Sequence, residues 1–152
     1  MKNFVLAAVT AATLALTAGA ATAQERAINE VGVVAGSLAD DTAFGARVGL
    51  YDFDLPYGLQ LEGTYDGTVR QDVVGLNLVG ETALTERVNG YVLGGVGYDW
   101  NDAGDEAVWT YGAGLTYALT PTTELDLRVR TFNSFEDSSD DTAVTLGVNY
   151  VF

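Results

Sequence analysis

The sequence predicts an all-β chain, an eight-stranded antiparallel up-and-down transmembrane β-barrel. Three observations carry this. Apolar residues alternate at period two through eight segments, the spacing of strands with one apolar face. The faces opposite are rich in Gly, Thr and charge, so the bulky side belongs outside and the small or ionic side inside. Aromatic residues gather near the two ends of the segments, as in a barrel with a belt at each water interface.

The segments run in order. Ala27 to Ser37 places Glu30 on the inner face, Ala43 to Phe53 places Arg47, Tyr57 to Gly67 places Gln60 and Glu62, and Gln71 to Thr82 places Asn77 and Glu81. The fifth, Arg87 to Asp99, is ambiguous in phase; the preferred reading turns Val92, Val96, Tyr98 and Trp100 outward. In the sixth, Ala107 to Leu119, Trp109, Tyr111, Ala113, Leu115, Tyr117 and Leu119 share the outer face, against Thr110, Gly112, Gly114, Thr116 and Ala118. In the seventh, Thr122 to Phe132, Leu125, Leu127 and Val129 oppose Glu124, Asp126, Arg128 and Arg130. The eighth, Thr142 to Phe152, sets Val144, Leu146, Val148, Tyr150 and Phe152 against Thr145, Gly147, Asn149 and Val151.

A soluble sandwich also alternates. Eight strands, however, leave a lumen just wide enough for side chains, and the bulky set would overfill it. One aromatic belt is expected from Phe44, Tyr65, Tyr98, Trp100, Trp109 and Phe132. The other is expected from Tyr51, Phe53, Tyr57, Tyr91, Tyr117, Tyr150 and Phe152, with Tyr111 nearer the middle.

Connections after the even segments are tight ("DLPYG", "ALTER", "LTPT"); those after the odd ones hold "LADD", "GTVRQ", "NDAGDE" and "NSFEDSSDD". Short turns belong to the periplasmic side, so the acidic loops face outward.

Residues 1–23 read as a cleaved leader: Lys2, an apolar run from Phe4 to Leu16, then Ala21-Thr22-Ala23. The run is shorter than the ~20 residues of a membrane helix. Residues 24–152 are then the barrel domain. The chain carries net charge −14, and −15 once Lys2 is removed, which argues against nucleic acid as a partner. It has no cysteine, so no disulfide supports it.

Inside the tube, a network of Glu30, Arg47, Glu62, Glu81, Asp126, Arg128 and Arg130 is expected to satisfy its own charges, because an unpaired buried charge is too costly. Counting from the turns sets Arg47 opposite Glu62, Arg128 opposite Gly114 and Arg130 opposite Gly112, the glycines making room for the guanidiniums. Such a plug blocks water.

The last residues, "TLGVNYVF", end the chain within a strand, which a closed barrel permits because its last strand pairs with its first. Thr145, Gly147, Tyr150 and Phe152 resemble the terminal assembly signal of bacterial outer-membrane barrels. The chain as a whole is similar to the small eight-stranded family that includes the OmpA transmembrane domain and OmpX. "YVLGGVGYDW" and "WTYGAGLTYALTPTTELDLRVR" look like that family's fifth to seventh strands.

The resemblance implies a Gram-negative outer membrane, and contact with its lipid and lipopolysaccharide. It also implies recognition by periplasmic chaperones and the barrel-assembly machinery. A monomer with a structural role in the envelope is expected. No peptidoglycan-binding domain is expected after Phe152, so a wall-tethering role does not carry over. Barrel hydrolases and acyltransferases of this kind use histidine, and the chain has none, so no catalytic residue is assigned. No cofactor or metal is expected either: counted from Asp99, "DWNDAGDE" puts Ala103 and Thr110 where a calcium loop needs ligands. Alternative roles are a narrow pore for small solutes, or surface recognition, adhesin-like, through the acidic outer loops.

Overall fold

The computed structural model describes residues 30–38, 41–51, 57–66, 72–101, 104–135 and 140–152. The expected leader and its cleavage point lie outside the described residues, as do Phe53 and most of the loops between odd and even strands. Eight strands form: β1 (Glu30–Leu38), β2 (Asp41–Tyr51), β3 (Tyr57–Asp66), β4 (Asp72–Ala83), β5 (Val88–Asn101), β6 (Gly104–Thr120), β7 (Thr123–Ser134) and β8 (Asp140–Val151). Each pairs antiparallel with the next, and β1 pairs with β8 from Glu30↔Val151 to Leu38↔Ala143, so the sheet closes without an edge.

Strand ends follow alternation further than loop composition suggested. The acidic stretch "NDAGDE", expected as an outer loop, instead keeps Asn101 in β5 and Gly104 to Glu106 in β6, paired as Asn101↔Gly104, Trp100↔Asp105 and Asp99↔Glu106. Acidic side chains pointing alternately into and away from the tube are no obstacle to a ladder whose hydrogen bonds are made by the backbone. At the other end the two described turns are tight. Leu84 to Arg87 closes with Val88 N–H bonding Thr85 Oγ1 at 3.0 Å, and Pro121-Thr122 closes after a register shift between Ala118 and Thr120.

The faces sort as an inverted globule. Arg47 (1%), Asn77 (0%) and Arg128 (2%) are sealed inside, while Leu78 (53%), Val92 (64%) and Leu146 (57%) lie open on the outer wall. For a water-soluble protein that partition would be unfavourable on both faces. In hydrocarbon it satisfies the backbone in a closed ladder and turns apolar side chains to lipid. The fifth strand takes the preferred phase, with Val92, Val96, Tyr98 and Trp100 outward.

Three aromatics expected in the belts lie inside instead. Tyr91 (β5) is buried against Gly114, its cross-strand partner, where a side chain would strike the phenol. Phe132 (β7) is buried in an apolar layer with Ala43, Val73, Val108 and Ala143. Tyr51 (β2) lies over Gly49 and Gly58 and packs against Val79, Tyr91 and Leu93. Strand phase decides the face, and nearness to a strand end does not override it. The belts that remain include Tyr98 against Trp100 (4.8 Å between ring centroids), Trp109 stacked on Tyr111 (5.4 Å), and Tyr150 against Phe152 (5.0 Å).

Candidate functional site

Inward phase on β1, β2, β3, β5, β7 and β8 brings one connected set of polar side chains into the middle of the tube. Glu62 (β3) and Arg47 (β2) are direct register partners, as counting from their turn indicates. Their contacts nevertheless run across the lumen. Glu62 accepts from Arg128 Nη1 through Oε2 and from Arg130 Nη2 through Oε1, each at 2.6 Å. Both arginines stand on β7, diametrically opposite β3 in the closed order. Arg47 donates to Asp126 Oδ1 at 3.1 Å, and through Nε and Nη2 to Asn149 Oδ1 at 2.9 and 2.6 Å; its Nε also lies 3.3 Å from Glu30 Oε1.

Tyr91 joins the two halves. Its hydroxyl donates to Asp126 Oδ2 at 2.6 Å and accepts from Arg128 Nε at 2.7 Å. Tyr91 and Asn149 lie outside the network expected from sequence, although the preferred phases of β5 and β8 turn both inward. Replacing Tyr91 with phenylalanine keeps the ring but removes a buried donor and acceptor. A stability loss of about 1–3 kcal/mol in urea unfolding of the refolded barrel is expected.

The glycines make room differently from the expected way. Gly114 and Gly112 do face Arg128 and Arg130 in register. At Gly114, however, it is the Tyr91 phenol that occupies the space, and at Gly112 it is the Val129 carbonyl and the Arg130 Cα and Cβ, not a guanidinium. The guanidinium that does rest on glycine is that of Arg47: a Cβ on Gly32 would come within 3.0 Å of its Nε, and one on Gly147 within 2.8 Å of its Nη2.

Above this network, towards the long-loop end, Arg130 packs over the Phe132 ring at 4.3 Å. The apolar layer of Phe132, Val73, Val108, Ala43 and Ala143 follows. Below it, Glu81 accepts from Asn89 Nδ2 at 2.6 Å, with Glu124 half-buried nearby. The residues of the terminal signature divide by phase: Thr145 and Gly147 face the lumen, and Tyr150 the outer wall with Phe152 against it. Among the described residues no group of three Asp or Glu side chains is placed to hold a metal ion.

Comparison with known proteins agrees with this architecture. The family model described as outer membrane protein beta-barrel domain matches residues 8–152. No curated protein matches the chain. Among solved structures, Neisserial surface protein A superposes with a TM-score of 0.65 at 12% identity, covering 82% of this chain and 96% of that one. A barrel from the de novo design of transmembrane β-barrels superposes at 0.62 with 19% identity, covering 85% and 98%. Ail, the attachment invasion locus protein of Yersinia pestis, superposes at 0.59 with 17% identity, covering 82% and 97%. At these identities the likeness is one of fold.

Proposed function

The chain belongs to the outer-membrane β-barrel family of Gram-negative bacteria, and on that premise we propose that it serves the envelope as a closed structural barrel, without an ion-conducting path. One observation carries this reading. Glu62 on β3 holds Arg128 and Arg130 on the opposite strand, so the tube is crossed by charge-assisted bonds in its middle. The apolar layer beneath the long-loop end adds a second obstruction, of a kind that ions and water enter only at the cost of their hydration.

The chain has no histidine to serve as a general base, and the carboxylates at the centre of the tube, Glu62 and Asp126, are engaged with arginines, so the reading is non-catalytic. Thr145, Gly147, Tyr150 and Phe152 fit a terminal signal read during assembly by periplasmic chaperones and the barrel-assembly machinery. The lumen-facing glycine also answers to Arg47.

Reconstitution in planar lipid bilayers tests the closed reading. The wild-type barrel is expected to insert without stepwise conductance in concentrated KCl. Unitary steps whose size changes in Arg47→Ala or Arg128→Ala would replace this reading with a narrow pore.

A further inference from the structure

The outer wall is studded with exposed leucines, among them Leu59, Leu61, Leu76, Leu78 and Leu115. Between β4 and β5, near the tight-turn end, that bulk is missing. Gly80, Thr82 and Gly90 share the outward phase of Leu78 and Val92, and the pairs Gly80↔Val92 and Thr82↔Gly90 set them side by side. The result is an open, apolar groove of about 450 Å³ along the backbone of the two strands. Tyr57, the β3 partner of Gly80, and Leu115, the β6 partner of Gly90, stand exposed on its two sides. Leu84 closes its lower end, where a Cβ on Gly90 would lie 3.1 Å from Leu84 Cδ1.

A gap in a wall that faces hydrocarbon forfeits dispersion contacts unless something packs into it. The convex wall of a second barrel meets this one along a line and cannot enter a groove between two strands. A single alkyl chain is narrow and flexible enough to lie along it, and the groove is continuous with the surface already turned to lipid.

The turn beneath the groove says which lipid. Leu84 and Thr85 N–H donate to the Val88 carbonyl at 2.9 and 3.0 Å, and Ala118 N–H donates to the Arg87 carbonyl at 2.9 Å. Thr85 Oγ1 accepts from the N–H groups of Arg87 and Val88 at 3.3 and 3.0 Å. These bonds fix a turn that carries Glu86 and Arg87 side by side, both exposed. Among the described residues Arg87 is the only cation outside the tube. A chain of net charge −14 repels a purely anionic headgroup. A zwitterionic one is matched twice, its phosphate by the guanidinium and its ammonium, with N–H donors, by the Glu86 carboxylate.

We propose that this groove binds one phospholipid of the tight-turn, periplasmic leaflet, its acyl chain along Gly80 and Gly90 and its phosphoethanolamine headgroup on Arg87 and Glu86. The site lies on the outer wall, so it stands whether or not the tube conducts.

The test is native mass spectrometry of the folded full-length barrel, released from nanodiscs that hold equal amounts of phosphatidylethanolamine, phosphatidylglycerol and phosphatidylcholine with identical acyl chains. One retained phosphatidylethanolamine per barrel is expected, in excess over the other two lipids. Arg87→Gln should lower its retention about fivefold, the usual contribution of one basic residue at a membrane surface. Gly80→Leu should remove it by filling the groove; both variants are checked for folding by heat-dependent gel mobility. Absence of a retained lipid would overturn the proposal, as would equal retention of phosphatidylglycerol or phosphatidylcholine, or undiminished retention in either variant. A barrel dimer that Gly80→Leu dissociates would overturn it too, by giving the groove to a second copy.

Discussion

Replacing Glu62 with leucine is expected to destabilise the folded barrel by about 3–5 kcal/mol, the effect of removing one partner from a buried ion pair. Glu62 is 2% exposed and takes a 2.6 Å bond from each of two guanidiniums. Leucine leaves Arg128 with Tyr91 and a more distant Asp126, at 3.9 Å. Arg130, whose Nε has no hydrogen-bond partner, loses its Glu62 bond and keeps its stacking over Phe132. Neither arginine escapes the cost by neutralisation, since guanidinium stays protonated. Glu62→Gln keeps an acceptor oxygen and the side chain's shape, so it should fall between wild type and leucine. Reversible urea unfolding in lipid vesicles measures both. A leucine variant as stable as wild type would mean that the cross-lumen bonds contribute nothing net.

On the other face the largest effect is expected from Leu61→Arg. Leu61 sits midway along β3, 49% exposed, beside Leu76 of β4 and outside the lumen. An arginine there enters hydrocarbon near the bilayer midplane and should cost about 2–4 kcal/mol. Leu61→Ala loses only apolar contact with lipid and should cost less. In a water-facing wall the order would reverse, because arginine would be solvated and alanine would leave the larger defect.

Much of this was legible in the sequence because its information is periodic. Alternation places Arg47, Glu62, Asp126, Arg128 and Arg130 inside, and it keeps Leu127 and Leu146 outside even where no loop marks a boundary. Counting from the turns gives the neighbours Arg47 and Glu62, because antiparallel register is a local property of a hairpin. It does not give the bonds. Glu62 meets Arg128 across the full width of the tube, and that distance depends on closure, which no single hairpin encodes.

Aromatics were the weaker signal. Tyr91 and Phe132 lie near strand ends as belt residues do, yet their phase is that of Leu93 and Arg130, and the ring is received by a neighbouring glycine or an apolar layer. Small residues likewise told where space exists, but not which side chain fills it: Gly114 receives a phenol and Gly147 a guanidinium.

The central claim is the assignment of faces, and the absence of any native cysteine permits a direct measurement of it. Single cysteines at Val74, Gly75, Leu76, Asn77, Leu78 and Val79 of β4, which lie outside the ion network, are spin-labelled in bilayers and their collision rates with molecular oxygen recorded. Oxygen partitions into hydrocarbon, so rates should peak at Val74, Leu76 and Leu78 and fall at Gly75, Asn77 and Val79. Peaks at the second set, or no alternation along the strand, would contradict the account.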